Sequence, residues 1–408
     1  MSGRPAPAAT DCSTVVRSGP KVAAVVYSDP DLYPPIINSA RVLAREGFRL
    51  ALLCRDEGER WGVEYPPGVS VERIGARLPG SWRNYLAFVS AVVRRADSSS
   101  DLFVGHDMHG LLPARILATR YRRPLVYHCH DFAEAGRALP AGSRLVRAME
   151  RLIARTADLV IVPDAERAVV VARQLRLRRQ PAVVANAPLE APAPGNPALR
   201  DALAARGARF TKTVVRQGRI GPNHGIEPTV RSLASWASRN WGFVLFGIAV
   251  SEFRERIERQ AAELGVAGQL AILPPVAYDR VCAFTVGADL GHAIYDPANV
   301  NNEWIATASC KAMEYMAAGL PVFASAGSSL GAFVERHHCG VTADRERPES
   351  IASAVNDLLG DPDKARRLGS AGRATFDRSL RFDLQFAPVS LEMRRLASSG
   401  WRRGGGTP

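Results

Sequence analysis

The sequence predicts an α/β protein of two domains, each built on a parallel β-sheet. The chain has 408 residues, which is enough for two domains of ordinary size. The apolar run KVAAVVY at 21–27 is bounded by turn residues, as expected of a buried parallel strand. A second apolar strand, at 213–215, follows a segment rich in proline and alanine at 188–197. These features predict two α/β domains connected by a linker.

The first domain opens with a β–α–β unit. The strand at 21–27 is followed by an amphipathic helix at 36–46, which Gly47 ends, and by a strand at 48–53. The unit lacks the G-x-G-x-x-G sequence that binds dinucleotides, which argues against an NAD-dependent dehydrogenase. The other elements predicted for this domain are strands at 101–105, 124–127 and 159–162, and helices at 111–121 and 144–155.

The second domain continues the alternation of strands and helices. After the strand at 213–215, further strands are predicted at 242–246, 270–273 and 322–324. Helices are predicted at 227–237, 253–264 and 312–318, within 275–288 and 348–370, and at 384–397, with 372–381 as a connection. The predicted boundaries are a flexible leader at 1–20, domains at 21–190 and 211–380, a linker at 191–210, a last helix at 381–397 and a flexible tail at 398–408.

Composition limits the classes of protein to which the chain can belong. Apolar residues make up 47% of the sequence, so a packed core is feasible. No apolar run reaches the ~18–20 residues of a membrane-spanning helix. Six scattered cysteines without C-x-x-C spacing, and an N-terminus without the apolar region of a signal peptide, favour reduced thiols in a cytoplasmic protein.

The net charge of +13 lies mostly in residues 1–200. Arginines cluster at 120–123 and again at 173–179, and such patches suit anionic lipid headgroups or a phosphorylated acceptor. The alternative is an arginine-rich surface that is simply solvated. No interleaved aromatic and basic motif supports nucleic-acid binding. We therefore expect no nucleic-acid partner, and a peripheral contact of the basic first domain with an anionic membrane is the alternative to a purely cytoplasmic protein.

Two histidine-containing strings follow neighbouring predicted strands. The strand at 101–105 runs into His106-Asp107-Met108-His109, and the strand at 124–127 runs into His128-Cys129-His130-Asp131. Ligands of α/β proteins bind at the carboxyl ends of parallel strands, so these side chains are candidates for a site. Zinc binding and hydrogen-bonded structural histidines are the alternatives. Asp29-Pro30-Asp31 and Asp361-Pro362-Asp363 have the D-x-D spacing of some metal sites, but a match of three residues occurs by chance.

The stretch at 301–342 holds a carboxylate inside an apolar helix. Glu314 stands among alanine, methionine and tyrosine residues, and a glutamate is seldom buried without a partner. A ligand hydroxyl or a cation is therefore expected beside it. Lys311 lies one turn earlier on the same helix face, so an intrahelical ion pair is the alternative.

This stretch, SCKAMEYMAAGLPVFAS, resembles the donor-site signature of retaining GT-B glycosyltransferases of the family-4 type. The family's pattern is approximately Pro-x-Lys-x-x-Glu-Tyr-Met-Ala-x-Gly-x-Pro-Val, and every fixed position from Lys311 to Val322 is matched, while Ser309 replaces the leading proline. The run from Gly218 to Gly225 is similar to the family's G-R-x-x-x-x-K-G. There Arg219 matches the arginine, but His224 stands in the place of the lysine.

The resemblance implies a GT-B fold, in which two Rossmann-like domains face each other across a cleft and a C-terminal helix crosses back to the first domain. It implies a nucleoside-diphosphate sugar as substrate, a hexosyl transfer with retention of configuration, and no cofactor or metal. The acceptor would be a lipid-linked sugar, a glycan or a small molecule. The residues implied for the site are His106, Asp107 and Arg219 in catalysis, Gly218, Arg219, His224, Gly247, Lys311 and Glu314 in donor binding, and His130, Asp131 and Asn302 lining the cleft.

Two departures from the family's pattern leave other functions open. His224 replaces a lysine, and Ala306 stands where many relatives carry the first glutamate of an E-x7-E pair that ends at Glu314. Asn301, Asn302 and Glu303 would then fill part of that glutamate's role. A catalytically silent GT-B scaffold that binds a nucleotide sugar or a partner is one alternative. A nucleotide-sugar epimerase, which converts its donor without an acceptor, is another.

Overall fold

Two parallel sheets organise the chain in the computed structural model, which describes residues 19–75, 82–132, 141–193, 195 and 198–399. The strands are β1 (Lys21–Val26), β2 (Arg49–Arg55), β3 (Val69–Ile74), β4 (Leu102–His106), β5 (Leu125–His128), β6 (Leu159–Val162), β7 (Ala182–Val183), β8 (Lys212–Gln217), β9 (Trp241–Phe246), β10 (Leu270–Leu273), β11 (Leu290–Ala293), β12 (Val322–Ser325) and β13 (Gly340–Ala343).

Helices cover both faces of the two sheets. They are α1 (Pro34–Arg45), α2 (Trp82–Arg95), α3 (Asp107–Tyr121), α4 (Ala141–Ala154), α5 (Ala165–Leu175), α6 (Ala198–Ala204), α7 (Ile226–Ser232), α8 (Ser251–Glu263), α9 (Tyr278–Val286), α10 (Val300–Glu303), α11 (Cys310–Ala317), α12 (Ser329–Arg336), α13 (Pro348–Gly360), α14 (Pro362–Thr375) and α15 (Phe382–Ser399).

Each sheet has the strand order of a doubly wound α/β domain. The first sheet runs β3-β2-β1-β4-β5-β6-β7 and the second runs β10-β9-β8-β11-β12-β13, with parallel pairing throughout. In both sheets the order reverses beside the first strand of the domain, between β1 and β4 and between β8 and β11. Crevices that bind ligands open at the carboxyl ends of strands at such a switch point.

The central strands are apolar on both sides because helices cover both faces. In β1, Val22, Ala24 and Val26 pack into one core cluster. The intervening Ala23 and Val25 pack into another on the opposite face. This double burial explains why the strand reads as a continuous apolar run rather than an alternating one.

The last helix returns to the first domain. Phe382, Phe386 and Val389 of α15 belong to the same core cluster as residues of β1 and α1. Ser390 donates a hydrogen bond to the Glu46 carboxylate at 2.9 Å. The predicted fold class, GT-B with a C-terminal helix that crosses back, is confirmed.

Several predicted elements differ from those in the structure. Residues 372–381 do not form a plain connection, because α14 extends to Thr375 and a π-helical turn spans Phe376–Leu380. The strands β3, β11 and β13 and the helices α2, α5 and α12 were not predicted. Part of the predicted linker, 198–204, is the helix α6, whose Leu199 and Leu203 are buried. Residues 1–18 of the predicted leader and 400–408 of the predicted tail lie outside the described residues.

Within the described part of the chain, no helix is both long and apolar enough to cross a bilayer.

A candidate donor site in the cleft between the domains

The two histidine strings meet at the carboxyl ends of β4 and β5. His106 is the last residue of β4, and Asp107 begins α3 with a left-handed φ of 50°. Its carboxylate accepts hydrogen bonds from the backbone N–H groups of His130 (2.7 Å) and Asp131 (3.1 Å). Asp107 thereby ties the loop after β5 to the end of β4. A left-handed conformation at a residue other than glycine is uncommon and persists where surrounding contacts enforce it.

His106 and His130 form a hydrogen-bonded pair. Nδ1 of His106 lies 3.0 Å from Nε2 of His130, and the two ring planes are 2° apart with centroids separated by 5.3 Å. The centroid separation matches the nitrogen–nitrogen distance plus one ring radius on each side, so the two nitrogens face each other in line. One nitrogen therefore carries a hydrogen and donates the hydrogen bond, and the other nitrogen accepts it.

The pairing of His106 with His130 affects whether the three neighbouring histidines could bind zinc. His106, His128 and His130 place one ring nitrogen each within 4.8 Å of one another, which is close enough to hold an ion. A metal bound to His106 and His130 through the paired nitrogens would need both lone pairs to point to a common third position. Here they point at each other, and the ring of His128 is tilted by 37° from that of His130, with centroids 4.1 Å apart. The absence of a metal from the reaction stays a prediction.

Burial controls the charge of the groups at this end of the first sheet. It lowers the pKa of His106 to about 3 and that of His130 well below its ordinary value, so both rings are neutral. Burial, helped by the neighbouring charge of Asp131, raises the pKa of Asp107 to about 7. Neutral imidazoles offer hydrogen bonds without a fixed charge. Asp131 itself is exposed, and its carboxylate lies 3.8 Å from the guanidinium of Arg167.

The D-x-D string at 29–31 is occupied by contacts within the protein. Asp29 is fully buried and accepts a hydrogen bond from the backbone N–H of Asp31. The Asp31 carboxylate accepts from Arg73 at 2.8 Å and from the Tyr65 hydroxyl at 3.0 Å. Arg73 pairs with both carboxylates, since its Nη2 also lies 3.4 Å from Oδ1 of Asp29. The second D-x-D is also structural, because Asp361 caps α14 through the N–H of Lys364.

In the second domain, two glycines bring the ends of β8 and β9 into contact. Gly218 and Gly247 have positive φ values of 87° and 144°. A Cβ placed on Gly247 would lie 1.9 Å from the Gly218 carbonyl oxygen, so no other residue fits there without moving the backbone. A Cβ on Gly218 would lie 3.2 Å from Nζ of Lys311. The glycine turn therefore lies directly beneath the lysine of α11.

The cations predicted to bind the donor gather around this turn. Arg219 is exposed, and no ion pair is found for it among the described residues. Lys311 lies over the ring of Tyr295, with Nζ 5.9 Å from the ring centroid. His224 packs against the same ring at 6.1 Å between centroids. Burial, with smaller effects from nearby cations, lowers the pKa of His224 to about 2, so this imidazole is neutral.

Glu314 is buried on α11 and contacts a residue of β8. Its Oε2 accepts a hydrogen bond of 2.8 Å from the side-chain amide of Gln217, whose own Oε1 has no described partner. Lys311 forms no ion pair with Glu314 in the described structure, so the alternative of an intrahelical pair is wrong. Burial raises the pKa of Glu314 to about 7. The carboxyl group is thus a poorly solvated acceptor that contacts no cation among the described residues.

An arginine that sequence reasoning missed joins the two halves of the site. Arg167 of α5 is buried and donates hydrogen bonds to the carbonyl oxygens of His130 (2.6 Å), Trp304 (2.6 Å) and Asn301. The last two belong to the segment between β11 and α11, so Arg167 fastens that segment to the first domain. Its position on the apolar stripe of α5, four residues before Val171, was a signal that could have revealed it.

Two asparagines of the same segment point in different directions. Asn301 accepts a hydrogen bond from the N–H of Phe132 at 3.1 Å, across the cleft. Asn302 is buried and donates to the carbonyls of Asn223 (3.3 Å) and Asp296 (2.9 Å), within the second domain. Asn302 therefore braces the loop that carries Arg219 and His224, while Asn301 contacts the first domain. Through these contacts the histidine pair and the cation cluster lie at one cleft.

Comparison with known proteins identifies the family. The model described as "Glycosyl transferase 4-like domain" matches residues 38–187, and the model "Glycosyl transferases group 1" matches residues 210–375. Together they cover well over half of the chain.

Two mycobacterial relatives carry the name GDP-mannose-dependent alpha-(1-6)-phosphatidylinositol monomannoside mannosyltransferase. The Mycobacterium tuberculosis protein is 27% identical over 182 residues, which cover 45% of this chain and 47% of that protein. The Mycolicibacterium smegmatis protein is 26% identical over 309 residues, which cover 68% of this chain and 80% of that protein. The chain thus spans about half the length of the M. tuberculosis relative.

Solved structures share the fold. The sucrose-phosphate synthase of Thermosynechococcus elongatus has a TM-score of 0.68 and 18% identity, covering 93% of this chain and 98% of that one. The Anabaena protein HepE, solved with UDP and glucose, has a TM-score of 0.66 and 20% identity, covering 93% of this chain and 99% of that one. Since glycosyltransferase models match both halves and the architecture is GT-B, the chain belongs to the GT-B glycosyltransferases of the family-4 type.

Proposed function

We propose that the protein transfers a hexosyl group from a nucleoside-diphosphate sugar to an acceptor hydroxyl, with retention of configuration. The observation that carries the proposal is the buried carboxyl group of Glu314, which forms no ion pair among the described residues. Glu314 shares α11 with Lys311 and bonds Gln217, which is followed in the chain by Gly218 and Arg219. A carboxylate suited to two ribose hydroxyls, beside cations suited to a diphosphate, is the chemistry that a nucleotide sugar needs.

The reaction depends on charge stabilisation at the leaving group. As the bond between the sugar and the diphosphate breaks, negative charge grows on the phosphate oxygens, and Arg219 and Lys311 stabilise it. Glu314 orients the nucleotide, and Gly218 and Gly247 allow the backbone to approach it. The protein's own cations supply the charge that a metal ion supplies in other glycosyltransferases.

The first domain holds the sugar and the acceptor. His106, fixed by its hydrogen bond to His130, presents its other ring nitrogen to the transferred sugar. Asp107 positions the His130–Asp131 loop through two backbone hydrogen bonds. Asp131 is exposed at the edge of the cleft, where an acceptor hydroxyl approaches. Closure of the cleft over the donor excludes water and so favours transfer over hydrolysis.

The acceptor in this proposal is linked to a lipid, as in the names of the mycobacterial relatives. A contact of the protein with an anionic membrane, as distinct from the acceptor site, is supported by a groove of about 540 Å³ near the amino ends of β6 and β7, on the edge of the sheet opposite His106 and His130. It is lined by Arg115, Arg155, Arg178 and Arg179, with Asp158 and Glu392 as its acidic residues. Such a groove suits an anionic headgroup. Sedimentation with anionic and with zwitterionic vesicles tests the contact. Anionic vesicles should bind the protein, and an Arg178→Glu/Arg179→Glu variant should lose binding that an Arg259→Glu variant keeps.

A transfer assay tests the function. Radiolabelled GDP-mannose and UDP-glucose are incubated with the protein and phosphatidylinositol mannosides, and labelled lipid is measured. We expect a product with the α-configuration of the donor, and a loss of at least about a hundredfold in rate for Arg219→Ala. Conversion of the donor without acceptor would indicate the epimerase. Nucleotide binding without any turnover would indicate the silent scaffold.

A further inference from the structure

The second domain contains a buried arginine whose charge is not balanced by a carboxylate in the described structure. Arg216 of β8 has no exposed surface. Its Nη1 contacts Nδ1 of His292 at 3.2 Å and the carbonyl oxygens of His292 and Ile294 at 3.4 and 3.3 Å. No described residue accepts a hydrogen bond from its Nε or its Nη2. A guanidinium stays protonated in proteins, and an unpaired buried charge is strongly unfavourable. An anion from outside the protein would compensate it.

A chain of hydrogen bonds fixes the orientation of this guanidinium. Arginine can only donate, so Nδ1 of His292 accepts and its Nε2 carries the proton. That Nε2 lies 2.9 Å from the Thr229 hydroxyl, which in turn donates to the Gly225 carbonyl at 2.7 Å. The chain ends at the last residue of the loop at 218–225. This network therefore fixes one side of the Arg216 guanidinium, and its Nε and Nη2 are buried with no hydrogen-bond partner among the described residues.

The surroundings of Arg216 are those of the candidate donor site. Its Cζ lies 5.1 Å from the centroid of the Tyr295 ring, the same ring that Lys311 and His224 contact. After burial, the cations that lower the pKa of His224 are Arg216, Lys311 and Arg219, in that order. Arg216 and Lys311 thus contact the same ring as the neutral His224, which stands where the family's motif has a lysine.

We propose that Arg216 supplies the positive charge that the lysine of the G-R-x-x-x-x-K-G motif would supply, so that Arg216, Arg219 and Lys311 together hold the donor diphosphate. The inference rests on the proposed function of this site. A lysine at 224 would place a second positive charge close to Arg216, and like charges in a poorly solvated site repel. Histidine at 224 and arginine at 216 are therefore a compensating pair. The positive charge lies on strand β8 instead of on the loop at 218–225.

Binding of nucleoside diphosphates and monophosphates separates this role from a structural one. Isothermal titration with GDP and GMP, and with UDP and UMP, is carried out on wild type and on Arg216→Met. We expect diphosphate affinity to fall about tenfold to a hundredfold, the usual worth of a contact to a charged group, and monophosphate affinity to fall much less. The melting temperature of the free variant should stay the same or rise, since an unpaired buried charge is removed. Arg231→Met, at an exposed arginine of α7, is the matched control and should bind like wild type.

Two further variants make the test independent of how well Arg216→Met folds. Arg216→Lys keeps the charge and should keep most of the diphosphate affinity. The double variant Arg216→Met/His224→Lys returns the charge to the loop and should regain most of the affinity that the single variant loses. Such a rescue is an interaction between the two sites that independent effects would not produce.

Three results would overturn the inference. The first is an Arg216→Met variant that binds diphosphate as tightly as wild type. The second is an equal loss of diphosphate and monophosphate affinity with a lowered melting temperature, which would make Arg216 a structural residue. The third is a wild type that binds neither GDP nor UDP, which would overturn the proposed function along with the inference.

Discussion

At the scale of single residues, the sequence reveals a buried polar group where it stands inside a clear apolar helix. Glu314 was predicted in this way, and the structure finds it buried with Gln217 as its hydrogen-bond partner. Arg216 and Gln217 were missed because the strand was expected to end at Val215, where the apolar run ends. The ladder of β8 continues to Gln217, pairing with β9, so these two polar residues are strand residues. Backbone pairing, rather than side-chain pattern, determines where such a strand stops.

The raised pKa of Glu314 predicts a pH dependence of stability. Its carboxyl has a pKa of about 7 in the folded protein, above the ordinary value of 4.5. The folded state therefore binds more protons than the unfolded state between these values, and the free energy of unfolding falls as pH rises through that range. Relative to Glu314→Gln, wild type should lose about 3 kcal/mol between pH 4.5 and pH 7. Urea denaturation of both proteins across this range measures the difference.

The same variant serves as the control for other titrating groups. Asp107 also has a raised pKa of about 7, but it is present in both proteins and cancels in the comparison. Parallel stability curves for wild type and Glu314→Gln would show that the pKa of Glu314 is the same in the folded and the unfolded protein. That outcome would contradict its placement in a poorly solvated pocket.

At the scale of elements, prediction succeeded for buried strands with a continuous apolar run and failed for exposed or irregular elements. It also missed the buried inner strand β11, whose short sequence LGHA contains a glycine and a histidine. β3 is an edge strand with the alternating sequence VSVERI, and it lacks the apolar run by which the inner strands were predicted. The π-helical turn at Phe376–Leu380 depends on Phe376 and Leu380 being buried by tertiary packing. Short-range sequence signals do not contain that information. The tight approach of the β8 and β9 ends likewise follows from the strand order, which places the two strands side by side.

The close approach of Gly247 to Gly218 predicts that one added methyl group at residue 247 strongly lowers stability. Gly247→Ala would bring a Cβ within 1.9 Å of the Gly218 carbonyl oxygen and would also strain a φ of 144°. We expect a destabilisation of about 2–4 kcal/mol and weaker binding of nucleotides, because the turn beneath Lys311 must shift. Thermal unfolding measures the first and calorimetric titration the second. Gly268→Ala is the matched control, since no atom lies within 4 Å of its added Cβ. Equal stability of the two variants would contradict the geometry of the turn.

At the scale of the whole molecule, the fold class was predictable and the interface between the domains was not. Parallel strands, alternating helices and the donor-site motif together indicate GT-B. The interface depends on contacts between residues far apart in the sequence, such as the bidentate ion pair of Arg41 with Asp279 at 2.6 and 2.8 Å. Thr307 similarly donates to the carboxylate of Asp164 through its N–H at 3.0 Å and its hydroxyl at 2.8 Å. No periodicity or local motif signals such pairs.

The contacts of Arg167 predict how the interface between the domains contributes to the reaction. Arg167→Ala would leave the carbonyls of His130, Asn301 and Trp304 without their donor and release the segment after β11 from the first domain. We expect hydrogen exchange of residues 301–307 to accelerate and the transfer rate to fall at least tenfold, about the worth of one lost contact to a charged group. Nucleotide affinity should change less than the transfer rate does, because the nucleotide site lies within the second domain.

An exposed arginine of the same helix provides the comparison. Arg173→Ala, on the solvent side of α5, should leave both exchange and transfer unchanged. If residues 301–307 of Arg167→Ala showed hydrogen exchange at the wild-type rate, other contacts would hold the interface between the domains. The arginine would then have only a local role.

The measurement that tests the central claim most directly is thermal stabilisation by UDP, GDP, TDP and ADP. Wild type is compared with Arg219→Ala and Glu314→Gln, with Arg231→Ala as the control. One nucleotide should raise the melting temperature of wild type and of the control but not that of the two site variants, and its base would identify the donor. No stabilisation of well-folded wild type by any of the four would contradict a nucleotide-sugar site at Arg219, Lys311 and Glu314.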